Sequence, residues 1–183
     1  MSVKIVPYSE KVFNQLVVWQ EDDDLRKDMG GLSIPMREDE LKFSYDQFLK
    51  GNSAVMGVQL GETIIGAFIM EMIQPIHKRV NCHVVFDKKF RHLVNLASEK
   101  FLDLIFNELG FNSIHAFAPA NNERLLMYLE SYGFKKRGTI PDYYNFQDGV
   151  VSAFYYSLLK SKRIKPIRYK EMKLCLKQSL SLH

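Results

Sequence analysis

The sequence has few cysteines and lacks a long apolar run. Cys82 and Cys175 are the two cysteines, and they have neither a shared context nor a metal-ligand spacing. The longest nearly uncharged apolar run, residues 63–73, is eleven residues and contains Glu71, whereas a membrane-spanning helix needs about 20. The first residues carry no apolar signal core. We therefore expect a cytoplasmic protein with no membrane contact and no metal.

The body of the chain also lacks an excess of positive charge. The whole sequence carries +4, but residues 161–183 hold seven Lys or Arg against one Glu, a net +6, which leaves −2 for residues 1–160. A protein that tracks nucleic-acid phosphates needs a basic stripe on its folded part. This charge distribution argues against nucleic acid as the partner. With 183 residues and 46% hydrophobic content, the chain suits one globular domain.

The hydrophobic periodicity predicts an α/β protein with a mixed sheet. Predicted strands cover residues 4–8, 53–60, 63–73, 80–86, 113–118, 134–138 and 150–159, and predicted helices cover residues 10–20, 38–50, 93–109 and 122–132. Either Asn121 or Asn122 is predicted to cap the last of these helices. The dipeptide Gly61-Glu62 predicts a tight hairpin. Residues 141–149, PDYYNFQDG, are predicted to be a loop between the last two strands.

The centre of the prediction is a strand, a basic loop and a long helix in immediate succession, residues 80–111. The hydrophobic period places Leu109 on the core-facing side of the helix, and Gly110 is predicted to end it. The strand that follows, residues 113–118, makes a strand–helix–strand unit and predicts a parallel pair with a right-handed crossover. The first N–H groups of a helix are unpaired and its dipole is positive there. Because Lys88, Lys89, Arg91 and His92 stand at this point, we expect an anion site.

The segment NNERLLMYLESYGFKKRG, residues 121–138, resembles the GNAT superfamily of acyl-CoA-dependent N-acetyltransferases. In that family an Asn opens a helix that ends in a glutamate, two residues and Gly-Phe, which here correspond to Asn122, Glu130 and Gly133-Phe134. The resemblance implies a GNAT-like fold over residues 1–160: a mixed, mostly antiparallel sheet of about six or seven strands with a splayed parallel pair, flanked by helices. Residues 161–183 would be a basic amphipathic extension.

The same resemblance implies acetyl-CoA as cosubstrate and an amine of a protein or small molecule as acyl acceptor. It also implies that Tyr143, Tyr144 and Phe146 line the acceptor side; the alternative for these residues is aromatic packing under the loop. Backbone groups of the fourth strand would pair with pantetheine, and Asn122 would lie near the thiol end of the cofactor. The loop would contact the pyrophosphate. The implied cofactor-binding residues are Val84, Val85, Phe86, Lys89, Arg91, His92, Leu93, Val94 and Asn122.

The loop departs from the family pattern, in which two glycines let backbone N–H groups approach pyrophosphate. His92 and Val94 occupy those two positions, and no glycine occurs between Gly66 and Gly110. Leu129 stands where many relatives have a tyrosine general acid. In these features the sequence is most similar to divergent GNAT-like proteins of tailed bacteriophages, some associated with the virion or head assembly. The alternative to an active enzyme is therefore a degenerate GNAT-fold binding or assembly protein.

Two residues are candidates for proton transfer, and each has a structural alternative. His83 lies within the central strand, and histidine is the residue type best suited to proton transfer at neutral pH, but a strand histidine is often a packed residue. Glu71 is a carboxylate in an apolar run, but it can equally face solvent. In the tail, Tyr169, Met172, Leu176 and Leu180 share one predicted helical face, which favours a protein partner or self-association.

Overall fold

The computed structural model describes residues 2–28, 34–146 and 148–164, which form a seven-stranded sheet with helices on both faces. The strands are β1 (Val3–Pro7), β2 (Ala54–Leu60), β3 (Thr63–Gln74), β4 (Arg79–Phe86), β5 (Ser113–Pro119), β6 (Lys135–Phe146) and β7 (Gly149–Leu159). The helices are α1 (Glu10–Gln20), α2 (Asp23–Asp28), α3 (Glu38–Lys50), α4 (Val94–Asp103) and α5 (Glu123–Ser131). None of the helices in these described ranges is long and apolar enough to cross a membrane.

The strand order is β1-β2-β3-β4-β5-β7-β6, and every neighbouring pair is antiparallel except β4–β5. This confirms the predicted mixed, mostly antiparallel sheet with one parallel pair. The predicted hairpin at Gly61-Glu62 is also confirmed, because β2 ends at Leu60, β3 begins at Thr63 and Gly61 has φ +60°. A glycine adopts this left-handed conformation without a steric cost.

Two hydrophobic clusters hold the layers together. One cluster joins α4 and α5 to one face of the sheet and includes Phe68, Phe101 and Tyr132. The rings of Phe68 and Phe101 stack with centroids 4.0 Å apart. The other cluster joins α1 and the neighbouring α3 to the opposite face and includes Leu16 and Trp19. The α4 and α5 layer and the α1 layer therefore lie on opposite sides of the same strands.

The helix that follows β4 differs from its predicted course. It is a 3-10 helix at Lys88–Leu93, then α4, then a π-helical turn at Leu104–Glu108. The π-helical turn shifts the phase of the helix, so Leu109, which was predicted to face the core, is half exposed and Phe106 is buried instead. The predicted glycine ending is confirmed, because Gly110 has φ +73°.

The predicted loop of residues 141–149 is wrong over most of its length. β6 continues through these residues to Phe146, with an irregularity between Ile140 and Tyr144. A strand this rich in aromatic residues pairs with β7 despite its polar positions. Past β7, Arg163 donates to Asp103 at 2.6 Å and the N–H of Ile164 donates to the carbonyl of Tyr132 at 3.0 Å. The start of the predicted extension is thus attached to the domain, while the amphipathic face predicted for the tail lies outside the described residues.

Candidate active site

The parallel strands β4 and β5 are joined for three residue pairs and then separate. Residues 79–81 of β4 pair with residues 113–115 of β5, after which β4 runs to Phe86 and β5 to Pro119. The separation opens a cavity of about 200 Å³, which we call the cleft. Its lining comes from β4, β5, α5 and the β6–β7 hairpin and includes Cys82, His83, Val84, Phe117, Asn122, Leu125, Leu129 and Tyr144.

The backbone of β4 faces the cleft at alternate residues. The N–H of Asp87 donates to the carbonyl of Ile65 on β3 at 3.0 Å. Because successive residues of a strand point their backbone groups to opposite sides, Val85 also faces β3, whereas Val84 and Phe86 face the gap. The side chain of Val85 is fully buried in the cluster with α1. Of the three predicted strand residues, Val84 and Phe86 therefore present backbone groups to the gap between β4 and β5, and Val85 does not.

Glu71 and His83, the two candidates for proton transfer, are in contact. His83 Nε2 lies 2.8 Å from Glu71 Oε1. The β3–β4 register places Glu71 opposite Asn81, so His83 is its diagonal neighbour on the same face of the sheet. The hydrogen bond from His83 lowers the pKa of Glu71, and this outweighs partial burial, which raises it. Glu71 is therefore a carboxylate at neutral pH that holds the imidazole of His83 at the cleft.

The loop after β4 does not form an open nest of backbone amides. The carboxylate of Asp87 accepts from the N–H of Lys89 at 2.9 Å, and the carbonyl of Asp87 accepts from the N–H of Phe90 at 2.9 Å. The N–H of Val94 donates to the carbonyl of Arg91. Without glycine the segment folds as a 3-10 helix with an aspartate cap. Its positive end therefore faces a carboxylate of its own chain, which differs from the anion site that the sequence predicted.

The basic residues of the predicted anion site and the predicted cofactor-binding residues of this loop point to different places. Lys88 binds Asp22 and Asp24 of the α1–α2 region, at 2.7 and 3.0 Å. Lys89 and His92 are exposed, and Leu93 is half-buried against the core.

Arg91 and Val94 line a second cavity of about 140 Å³, which we call the α4 pocket. Its other lining residues are Val84, Phe86, Asn122, Arg124, Leu125 and Tyr128. The α4 pocket and the cleft share Val84, Asn122 and Leu125. They are therefore adjoining cavities along β4, and we call the two together the channel. His83, the partner of Glu71, lines the first cavity, and two arginines line the second.

Asn122, one of the two predicted cap residues, caps α5. Its Oδ1 accepts from the N–H of Leu125 at 3.1 Å, which satisfies one of the unpaired donors at the start of the helix. Because Asn122 lines both cavities, the cap also places the first turn of α5 against the channel.

Sequence reasoning missed several residues that line the channel. Arg124 lies in the first turn of α5, two residues after Asn122, and its charge in a helix start was the available signal. Cys82 lines the cleft and its thiol has a raised pKa because of burial. No local pattern distinguishes Cys82 from an ordinary core residue. Tyr144, in contrast, is one of the aromatic residues that the resemblance implied for the acceptor side. It lines the cleft, donates to the carbonyl of Phe117 at 3.2 Å and has a pKa raised by burial.

A family model matches residues 38–168 of the chain. The family is described as "Protein of unknown function (DUF2824)". The chain belongs to the DUF2824 family. Among curated proteins, none matches the sequence of this DUF2824 protein.

Solved structures of acetyltransferases share the fold of this DUF2824 protein. The spermidine N-acetyltransferase of Vibrio cholerae in complex with CoA and spermine is 14% identical, with a TM-score of 0.79 over 87% of this chain and 96% of that one. A chimera of the Vibrio cholerae enzyme and hSSAT is 14% identical, with a TM-score of 0.76 over 88% and 98%. A structure titled "Probable acetyltransferase" is 19% identical, with a TM-score of 0.71 over 87% and 94%. These similarities show that the DUF2824 protein has the GNAT fold.

Proposed function

We propose that this DUF2824 protein is an N-acyltransferase that moves an acyl group, acetyl in the simplest case, from acyl-CoA to an amine. The observation that carries the proposal is the channel along β4, in which His83, paired with Glu71, lines one cavity and two arginines line the other. An enzyme that joins two substrates needs adjoining sites for both, because the thioester and the amine must meet in a fixed geometry.

The residues of the channel fit a CoA cosubstrate. The backbone N–H and C=O groups of Val84 and Phe86 would pair with the pantetheine arm, and Arg91 and Arg124 would bind phosphate through charge-assisted hydrogen bonds. The side chain of Val94 packs partly on the core and His92 is exposed, so space remains in the α4 pocket despite the missing glycines. The N–H groups at the start of the loop donate to Asp87, so the arginine side chains would bind the phosphates in place of backbone amides.

The chemistry requires a base, a donor for the carbonyl oxygen and a proton for the leaving group. Acyl-CoA, when bound, supplies the thioester. The amine nitrogen forms a bond to the thioester carbon, the C–S bond breaks, and the thiolate takes a proton from solvent. With Nε2 of His83 bonded to Glu71, Nδ1 is the nitrogen that accepts the proton lost by the amine. The N–H of Val84 is the donor for the developing oxyanion.

CoA binding and acyl transfer can be tested on the same variants. Isothermal titration calorimetry with CoA should give saturable binding, and a hundredfold excess over the dissociation constant should raise the free energy of unfolding by about 2.7 kcal/mol. Arg91→Ala and Arg124→Ala should each weaken binding, whereas Lys100→Ala, which removes an exposed charge on α4, should not. Release of the CoA thiol from acetyl-CoA in the presence of amines measures turnover. Absence of both binding and thiol release would refute the proposal.

A second candidate function follows from the loop. The carboxylate of Asp87 caps the 3-10 helix at the point where the family resemblance implies a pyrophosphate. This favours a GNAT-fold protein that binds a partner or assists phage virion assembly without turning over acetyl-CoA. This candidate predicts that CoA neither binds nor stabilises the protein at millimolar concentration. The calorimetric titration therefore separates the two functions.

A further inference from the structure

An open groove crosses the sheet on the face that carries Glu71 and His83. It has a volume of about 360 Å³ and is lined by residues of β3, β4, β5, β6 and β7, including Arg79, Asn81, His115, Phe117, Thr139 and Tyr155. Phe117 also lines the cleft, and Asn81 lies opposite Glu71 in the β3–β4 register. The groove therefore leads to the carboxylate–imidazole pair and is the approach that remains for the amine, given that CoA enters from the α4 pocket.

Stacked rings make up much of the groove floor. Tyr155 stacks on His115, with centroids 5.6 Å apart and planes at 10°, and on Phe117, at 5.2 Å and 27°. Phe117 stacks in turn on Tyr143, at 5.5 Å and 15°. Because Tyr155 and Phe117 each stack with two neighbours, they present ring edges to a ligand. The edge of an aromatic ring carries partial positive charge, and cation–π binding requires the face.

The fixed charge of the groove has the same sign as the ring edges. Arg79 lines the groove and donates from Nε to Gln74 at 2.7 Å, a contact that uses one of the five N–H groups of a guanidinium. Arg137, on β6, donates to Ser157 at 2.8 Å. Burial, followed by the charges of Arg79 and Arg137, lowers the pKa of His115, which agrees with a positive local potential.

Polyamines are poor ligands for such a surface. A polyamine is a polycation at neutral pH and would meet ring edges and arginines of its own sign. The nearby carboxylate of Glu71 is bonded to His83. An anionic group has the opposite preference, because a guanidinium binds carboxylate or phosphate through two hydrogen bonds. The solved neighbour that was crystallised with spermine shares the fold but therefore need not share the acceptor class.

We propose that the acceptor is an amine whose molecule also carries an anionic group, a carboxylate or a phosphate, which Arg79 binds while the amine reaches His83. This inference rests on the proposed acyltransferase function and names its substrate class. Arg79 is then a specificity-determining residue. Its position on β4, four residues before His83, sets the separation between the anionic group and the amine.

Matched pairs of amines test the charge preference. Phenylalanine and phenylalaninamide differ in the carboxylate, phosphoethanolamine and ethanolamine differ in the phosphate, and spermidine represents the polyamines. Initial rates of CoA release from acetyl-CoA give kcat/KM for each amine. Among these amines, kcat/KM should be highest for the anionic member of at least one pair. The pair that responds distinguishes a carboxylate source from a phosphate source.

Variants of Arg79 assign the preference to the groove. Arg79→Gln should raise KM for the anionic amine about tenfold with little change in kcat, and should leave KM for its neutral counterpart unchanged. Arg79→Glu should reverse the preference and improve spermidine. Lys50→Gln is the control, because it makes the same charge change as Arg79→Gln at an exposed position of α3. Saturation-transfer NMR of the amines on each folded variant gives the same ranking without turnover.

The outcomes separate the two proposals. CoA release that is fastest with spermidine and unaffected by Arg79→Glu would overturn the acceptor class and leave the acyltransferase function intact. No CoA binding and no CoA release with any amine would overturn the acyltransferase function and the acceptor class together.

Discussion

Replacing Asp87 with Asn should strengthen CoA binding and leave the loop folded. In the structure the Asp87 carboxylate accepts from the N–H of Lys89 at 2.9 Å and caps the 3-10 helix. Asn and Asp are equally good helix caps, so Asp87→Asn keeps the cap and removes the negative charge. If the phosphates of CoA lie beside this loop, the charge that the substitution removes is one that repels them.

The size of the effect follows from Coulomb's law. At a separation of about 8 Å, two unit charges interact with about 0.5 kcal/mol in water and about 2 kcal/mol at the effective dielectric constant of a protein surface. Asp87→Asn should therefore tighten CoA binding by about 2- to 30-fold. Because exposed charges are screened within about 3 Å at 1 M salt, the gain should disappear at that ionic strength.

Isothermal titration calorimetry with CoA at low salt measures the change. Glu108→Gln is the control, since it removes one exposed negative charge from the far end of the same helical segment. Asp87→Ala is the second control. It removes the cap as well as the charge, and should lower the free energy of unfolding by about 0.5–2 kcal/mol while still tightening CoA binding.

Equal CoA affinity for the wild type and Asp87→Asn at low salt would refute this reasoning, because it would mean that the phosphates lie away from the loop. A gain in Glu108→Gln as large as in Asp87→Asn would also refute it, since the effect would then reflect net charge alone.

Three further predictions concern the base, pH and the helix ending. In an assay of CoA release, His83→Gln should lower kcat by about 10²- to 10⁴-fold. Glu71→Gln should lower kcat by less, and KM for the amine should be nearly unchanged in both variants. An unchanged kcat in both variants would exclude the pair from proton transfer. The pKa of His115 is lowered in the folded protein, so below about pH 6.5 the unfolded chain binds a proton that the folded protein does not. The free energy of unfolding should therefore fall as the pH drops from about 6.5. Urea titrations of His115→Gln at the same pH values should show a shallower fall. Gly133 has φ +89°, and an added Cβ would lie 2.6 Å from the carbonyl oxygen of Lys162. Gly133→Ala should therefore lower the free energy of unfolding by at least about 2 kcal/mol. Gly110→Ala, which is strained but meets no neighbouring atom, should lower it by less in the same urea titrations.

Local rules of the sequence predicted the elements that depend on neighbouring residues. The hairpin at residues 61–62, the cap at Asn122 and the glycine endings at Gly110 and Gly133 all follow from backbone preferences over a few residues. The parallel β4–β5 pair follows from element order and the handedness of crossovers. The resemblance of residues 121–138 to a family motif carried the prediction of the GNAT fold.

Other features depended on contacts between distant residues. The extension of β6 to Phe146 depends on the pairing of residues 144–146 with residues 149–151 of β7. The local sequence pattern does not predict this pairing. The aspartate cap at Asp87 forms where the sequence predicted an anion site. The loop contains no glycine, and it folds as a 3-10 helix whose first free N–H groups bind the chain itself.

The sequence by itself determined the order of strands and helices, because hydrophobic period and turn residues act over short distances. Only the tertiary structure decided that Glu71 touches His83, and that Arg91 and Arg124 line one pocket. The physical reason is register. The β3–β4 pairing selects which residues of the two strands are neighbours, and the packing of α4 and α5 on the sheet brings their first turns together; both depend on the whole core.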